Sequence, residues 1–346
     1  MEKKVLIVDP LSYSGHVNYN HGIIRAISKK YGYKIITNQY IAGRLVKKGV
    51  SPNAFEKTYP DDWNISNLSH RIKNKYLYNI LFRYYYLKVV LSVRRIVKDY
   101  DAVLFTCVEV YSFMLVSWLF GKNCFVVDHG IGNISTNVKY RIAWKTINNR
   151  IHLIVLEPFI KDMVEKVIRR TNVSVVRHPL PILCNEIDKR KEKSNFINIF
   201  APSGGNDVKF IEQLINTSIP DNFRVIAKCG QLEHKSERLF IYKGFISDSD
   251  YKKYFMDATY LLLPYESRYN YRISAVLFEA MVMGIPVLLL ANNTLKYYSD
   301  IFNGMVCLFS TVEEMFVKAQ EFESHNVKLS LYTDEALSNS LLNIIN

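Results

Sequence analysis

An uninterrupted apolar run long enough to span a membrane is missing from this chain of 346 residues. The nearest approach, VLFTCVEVYSFMLVSWLF at 103–120, carries Glu109 inside it, and a carboxylate at mid-membrane is costly. It reads instead as a buried strand over 102–107 followed by a core helix over 109–120. Cysteine is scarce: five residues, at 107, 124, 184, 229 and 307, with neither an even count nor metal-ligand spacing. That argues against a disulfide framework and for buried thiols in a reducing compartment. The start, MEKKVLIVDP, lacks the long apolar core and small-residue cleavage site of a signal peptide. Internal repeats and low-complexity tracts are absent as well, which sets solenoids and disordered arrays aside.

What is present is a globular composition, with 49% of residues apolar. The length exceeds one comfortable core and implies two domains. Charge is divided unevenly. Residues 1–190 hold 30 Lys and Arg against 14 Asp and Glu, a net of +16, whereas residues 191–346 hold 15 against 18, a net of −3. The two halves therefore face different partners.

Short apolar strands alternate with helices. KVLIVD, a loop, HGIIRAISKKYG and YKIITNQY open the series, and AVLFTC, CFVVDHG, LIVLE and VSVVRHPL continue it. HPLPILCNEIDKRKEKS then breaks the pattern with prolines and a charge cluster, as a linker does. A second series follows: FINIFAPSGG, FRVIAKCG, RLFIYKGFI, YLLLPY, PVLLL and MVCLF. The alternation predicts an α/β protein with two doubly wound parallel sheets, divided as 1–190, 191–330 and a last helix over 331–346 that can cross back to the first domain. Ligands in such sheets sit at the carboxyl ends of the strands.

One carboxylate stands out. In YRISAVLFEAMVMGIPVLLL, 271–290, Glu279 lies in an otherwise apolar run, and burying an unpaired carboxylate costs several kcal/mol. Ser274 is placed to cap the helix, Gly284 to stop it and Pro286 to start the next strand. Glu279 falls roughly 7.5 Å along the axis from Ser274. That separation suits a nucleotide sugar, with its diphosphate at the helix N-terminus and its ribose hydroxyls on the carboxylate.

The stretch YKGFISDSDYKKYFMDATYLLLPYESRYNYRISAVLFEAMVMGIPVL, 242–288, resembles the GT-B glycosyltransferases, most closely the retaining family numbered four. Gly244, Phe245, Leu263, Pro264, Glu279, Ala280, Gly284, Pro286 and Val287 match its motif in order. The resemblance implies two Rossmann-like domains facing a cleft, and a metal-independent hexosyl transfer from a nucleoside diphosphate sugar to a glycan or lipid-linked glycan in cell-surface polysaccharide synthesis. No cofactor beyond the donor and no metal is expected. The family's further Glu, eight residues before the ribose carboxylate, is Tyr271 here, with Glu266 nearby as its substitute. Arg272 stands where the family has Gly and can hold phosphate bidentately. In APSGGNDVK the tandem Gly204 and Gly205 let backbone amides approach phosphate. Lys209 fits one of the family's phosphate cations, Gly204 occupies the place of the other, and Lys228 is its replacement. DSD at 248–250 reads as a helix start and not as a metal triplet.

In the first half, YSGHVNYNHG is the exit loop of the first strand, where the resemblance implies that Gly15 and His16 face the acceptor, while His21 belongs to the helix start. VVDHGIGN puts His129 and Asp128 at another strand end, where the resemblance implies that His129 meets the donor sugar, with Asp128 to orient its ring or act on the acceptor. Residues 63–98 carry eight Lys and Arg, seven aromatics and no acid. A solvated basic helix stays open but does not by itself account for YNILFRYYYLKVVL, and nucleic-acid binding lacks an accompanying motif. An anionic membrane surface accounts for both features and implies a peripheral protein on the cytoplasmic face. Two rivals stay open: a nucleotide-sugar epimerase or hydrolase on the same fold, and a non-catalytic basic adaptor for membrane or nucleic acid.

Overall fold

The computed structural model describes residues 3–11, 16–63, 68, 71–182, 195–244, 246–266, 269–291, 295–325 and 327–346. The chain forms two compact units, Met1–Leu180 with Leu329–Asn346, and Pro181–Lys328.

The first unit is built on β1 (Lys4–Val8), β2 (Gly32–Asn38), β3 (Phe55–Tyr59), β4 (Ala102–Phe105), β5 (Cys124–Val127), β6 (His152–Val155) and β7 (Val173–Val175). All are parallel, in the order β3-β2-β1-β4-β5-β6-β7. Strands β4 and β5 are buried at every position and β1 at all but Lys4, the continuous apolar run that a sheet covered on both faces requires. The order reverses between β1 and β4, the switch point where ligands of such sheets gather.

The apolar run over 103–120 is a strand and a helix, as its charge implied. Glu109 is the N-cap of helix Val110–Val116, accepting from the Ser112 amide at 2.7 Å, and a 3₁₀ turn, Ser117–Leu119, follows. Among the described residues no helix is long and apolar enough to cross a membrane.

The last helix, Asp334–Ile345, packs on helix His16–Ser28 of the same unit. Arg25 grips both carboxylate oxygens of Asp334 at 2.8 Å. Nearby, the fully buried Glu157 accepts from Arg177 at 2.6 Å and from the Tyr332 hydroxyl at 2.9 Å, which ties the return segment to the end of β6.

The second unit holds β8 (Ile197–Ala201), β9 (Phe223–Cys229), β10 (His234–Lys235), β11 (Leu239–Lys243), β12 (Tyr260–Leu263), β13 (Val287–Leu290) and β14 (Val306–Phe309). Their order is β10-β11-β9-β8-β12-β13-β14, parallel except for the edge pair β10 and β11. Helices Val208–Asn216, Asp248–Asp257, Ala275–Met283 and Val312–Glu321 cover it. Both units are Rossmann-like α/β sheets, as the alternation predicted. Only residues 230–238 join β9 to β11, so the usual crossover helix between parallel neighbours is replaced by a short strand.

All three tryptophans, Trp63, Trp118 and Trp144, lie in the first unit, so their fluorescence reports its unfolding alone. Arg177→Met leaves Glu157 buried without its guanidinium and should destabilise the unit by about 3 kcal/mol. Urea titration followed by tryptophan emission checks this; an unchanged midpoint would show that the pair holds nothing.

Candidate functional site

In the second unit the carboxyl ends of β8, β9 and β12 are tied together by the loop after β8. Asn206 donates to the carbonyls of Ala201 at 3.1 Å and Lys228 at 3.0 Å, which joins the ends of β8 and β9. The Asp207 amide donates to Pro264 at 2.6 Å, which joins them to β12. Gly205 has no room for a side chain, since a Cβ there would lie 2.0 Å from the Tyr269 hydroxyl oxygen. The Tyr269 ring passes over it and stacks on Tyr265, with centroids 4.6 Å apart. Gly204 is exposed, and a Cβ built on it would sit 3.8 Å from Lys228 Cε, so that lysine lies beside the glycine pair.

Helix Ala275–Met283 starts at the same edge. Ser274 Oγ accepts from the Leu277 amide at 3.3 Å and bonds to the Tyr265 hydroxyl at 2.6 Å, while Gly284, at φ 60°, ends the helix. The Ala275 and Val276 amides make no hydrogen bond among the described residues, which leaves donors for an anion at this end. Tyr271 is held at φ 59°, a region bulky residues enter only when their surroundings force them. The next residue, Arg272, places its guanidinium 5.6 Å from the Tyr269 ring centre.

Glu279 is half-buried on this helix and accepts from the Tyr251 hydroxyl at 3.2 Å. Burial and then the Glu279 carboxylate push the Tyr251 phenol far up, so it stays a donor at any ordinary pH. Burial carries the Tyr265 phenol up to about 12, while its bonds with Ser274 and Ser203 oppose the rise.

Gly204, Gly205, Lys228, Arg272, Ser274 and Glu279 thus surround one set of strand ends. The Ser274 hydroxyl is occupied inside the fold, so the helix amides, not that oxygen, are what this end offers a ligand. Glu266 joins the same edge through its amide, 3.5 Å from the Gly205 carbonyl. Gly244 follows β11 at φ 92° and donates to Cys229 at 3.2 Å. Phe245 and Gly15 lie outside the described residues. Lys209 is exposed on the first turn of helix Val208–Asn216; among the described residues no hydrogen bond or ion pair joins its ammonium to the cluster. The DSD triplet begins helix Asp248–Asp257, capped by Ser247.

A cavity of about 880 Å³ lies at the opposite, amino-terminal edge of this sheet, lined by Arg224, Phe240, Lys253 and Tyr254 among others. It sits beside the short β9–β11 connection, where a crossover helix would ordinarily cover the face.

In the first unit His16, His129, Tyr19 and His178 cluster at the carboxyl ends of β1 and β4. The His16 and His129 ring centres are 4.8 Å apart, Tyr19 meets His129 edge-on at 4.7 Å, and His178 lies 5.3 Å from Tyr19. His129 Nε2 donates to the Thr106 carbonyl at 3.0 Å, which fixes the proton on that nitrogen and leaves Nδ1 as an acceptor. Burial above all, then the neighbouring His16 and His178, lower its pKa to about 3. A ring this reluctant to take a proton is a hydrogen-bonding group rather than a general base.

Asp128 was expected to orient His129; the Thr106 carbonyl does so instead. Asp128 accepts from Trp144 at 2.8 Å, from Tyr140 at 2.7 Å and from the Gly130 amide at 2.7 Å, and so fastens helix Val138–Thr146 to its own loop. Sequence spacing missed Asp9, which is buried and accepts from Asn20 at 2.6 Å and from Cys107 at 3.1 Å, with His16 Nδ1 at 3.8 Å. Ligand-type atoms of Asp9, His16 and Cys107 lie within 4.8 Å of one another, the one such group among the described residues. Burial and the Asp9 carboxylate push the Cys107 thiol up, so it serves there as a donor.

His129 and His178 set a pH dependence. Above pH 6.5 both are neutral whether folded or not. Below it the unfolded chain takes up protons that the folded unit refuses, down to about 3 at His129 and about 4 at His178. Stability should therefore fall as pH drops through that window. Urea midpoints from tryptophan emission should decline between neutral and mildly acid pH, and less steeply in His129→Asn; parallel profiles would contradict the assignment.

No family model matches the chain, and no curated protein does. Solved structures do. The Anabaena protein HepE, in complex with UDP and glucose, is 12% identical, with 99% of this chain and 94% of that one covered at a TM-score of 0.61. TarM is 14% identical, with 100% and 99% covered at 0.62. UDP-N-acetylglucosamine 2-epimerase from Rickettsia bellii is 16% identical, with 100% and 96% covered at 0.53. Over its whole length this chain has the fold of GT-B glycosyltransferases.

Proposed function

We propose that the chain moves a hexose from a nucleoside diphosphate sugar to a glycan or lipid-linked glycan, with retention at the anomeric carbon, in the manner of the retaining family four. The observation that carries this reading is the shared edge in the second unit. Exposed Gly204 with Lys228 beside it, the open amides of Ala275 and Val276, and Arg272 supply positive charge for a diphosphate. Glu279, one and a half turns along the same helix, supplies acceptor oxygens for a ribose diol. UDP-glucose, held by the structural relative HepE, is the first donor to try.

In this reading the leaving diphosphate gathers negative charge as the glycosidic bond breaks, and Lys228, Arg272 and the helix amides stabilise it without a metal ion. The acceptor hydroxyl attacks from the side the diphosphate leaves and passes its proton toward that phosphate. His129, kept neutral, positions the sugar through its free Nδ1. His16 and Gly15 hold the acceptor side. An epimerase on this fold remains the second reading, favoured by the likeness to the Rickettsia enzyme.

The two readings separate on acceptor dependence. A thermal-shift panel of nucleotide sugars should find a donor, and nucleoside diphosphate release from it should rise sharply when acceptor is added and persist in EDTA. Release or epimerisation independent of acceptor would favour the second reading. Glu279→Ala should weaken donor binding by about 1.5 to 3 kcal/mol, the worth of hydrogen bonds to a charged group. Lys228→Ala should weaken the nucleoside diphosphate while leaving the nucleoside unaffected. Unchanged donor affinity in both variants would overturn the site.

A further inference from the structure

Strands β1 and β4 run side by side with Val8 opposite Phe105, so the residues just beyond them emerge together at the switch point of the sheet. Asp9 follows β1 and Cys107 follows β4, and both are buried. Helix His16–Ser28 adds His16, its first residue, and Asn20 one turn on, on the same helix face. Cys107 Sγ lies 3.1 Å from Asp9 Oδ1, His16 Nδ1 lies 3.8 Å from that same oxygen, and Asn20 Nδ2 donates to Asp9 Oδ2 at 2.6 Å. Hydrogen bonding explains the first and last of these separations. It does not explain the second, because 3.8 Å is too long.

Two ligands of one cation would stand at such a distance. Around tetrahedral zinc, neighbouring ligand atoms are about 3.4 to 3.6 Å apart, given the usual bond lengths. The separations of 3.1 and 3.8 Å bracket that edge, and the three ligand-type atoms all lie within 4.8 Å of one another. Closing the last edge asks a shift of about 1 Å. His16 can supply it, since its side chain is the partly exposed one, at 15%. The donor set also selects the cation. Sulfur, nitrogen and carboxylate oxygen together suit zinc, whereas magnesium and calcium take oxygen ligands. The positive end of helix His16–Ser28 accounts for a buried carboxylate here, but not for a thiol and an imidazole gathered on one of its oxygens. Asn20 holds the other oxygen, as the outer partner of a ligating carboxylate does. Asn20 Oδ1 is itself buried and accepts no hydrogen bond among the described residues. A metal-bound water is a donor of the kind it lacks.

We propose that Asp9, His16 and Cys107 bind zinc at the carboxyl ends of β1 and β4, with a water completing the tetrahedron and Asn20 steadying the carboxylate. The Cys107 thiol gives up its proton to solvent as the sulfur–zinc bond forms. Thiolate and carboxylate then balance the doubly positive cation, which offsets its repulsion by the helix end. Asp9 and Cys107 stand 98 positions apart, so the sequence shows no ligand spacing. The site is separate from the groups offered to the diphosphate in the second unit. A cation there takes His16 from the acceptor side, a consequence that rests on the proposed transfer, whereas the binding itself does not.

Cobalt titrated into the full, reduced, metal-free chain tests this. A thiolate ligand gives cobalt an intense near-ultraviolet charge-transfer band, and four-coordination gives strong visible bands. Both should saturate at a single equivalent and vanish when zinc is added. Cys107→Ser should remove the near-ultraviolet band, whereas Cys307→Ser, on β14 of the second unit, should leave it. Asp9→Asn and His16→Gln should each weaken zinc at least about tenfold in competition with a chromophoric chelator, and Asn20→Ala about tenfold. Circular dichroism checks folding, and His16→Gln, at the least buried ligand, carries the test should Cys107→Ser misfold. Absence of the band in wild type, a band that survives Cys107→Ser, or zinc affinity unchanged in His16→Gln would overturn the proposal. Nucleoside diphosphate titration reads the second unit, so failure here is distinguishable from failure of the transfer reading.

Discussion

A carboxylate held half out of water by a tyrosine is the constraint around which the second unit is arranged. Glu279 sits on a helix whose neighbours are apolar, and the Tyr251 hydroxyl meets it from helix Asp248–Asp257. The Tyr251 hydroxyl, a neutral donor, offsets part of the desolvation. The carboxylate is thereby held at a fixed distance from the N-terminus of its own helix, the separation on which the proposed ribose and phosphate contacts rest.

The rest of that edge is built by backbone clamps. Asn206 and Asp207 tie three strand ends together, Tyr269 fills the space above Gly205, and Tyr265 joins the same stack to the Ser274 cap. Rigid strand ends with few adjustable side chains favour a preorganised anion site, where donors are in place before charge develops. The first unit follows a different plan. His129 packs against the rings of His16 and Tyr19 and is kept neutral by burial, so it offers a hydrogen bond and shape in place of proton transfer.

Much of this was legible in the chain because it is local. Strand and helix alternation follows from apolar periodicity, and the Ser274 cap, the Gly284 stop and the acidic start of helix Asp248–Asp257 lie within a turn of the features they govern. What was not legible depends on residues far apart in sequence. Tyr251 meets Glu279 across 28 positions, and Asp9 meets Cys107 across 98. Asp128 followed an apolar strand like a site residue, yet Tyr140 and Trp144, on the first and second turns of the next helix, claim its oxygens. Lys209 matched a pattern by spacing, but its helix leaves it exposed and, among the described residues, without an ion pair. Leu115 and Trp118 are exposed where the sequence predicts core, because composition does not say which side of a helix faces the sheet.

The most direct measurement is a calorimetric cycle. A nucleoside diphosphate and its 2′,3′-dideoxy analogue would each be titrated into wild type and into Glu279→Ala. If the carboxylate grips the ribose, removing the hydroxyls should cost wild type at least about tenfold in affinity and cost the variant almost nothing, because the partner is already gone. An equal loss in both proteins would place the ribose elsewhere and leave Glu279 with a purely internal role.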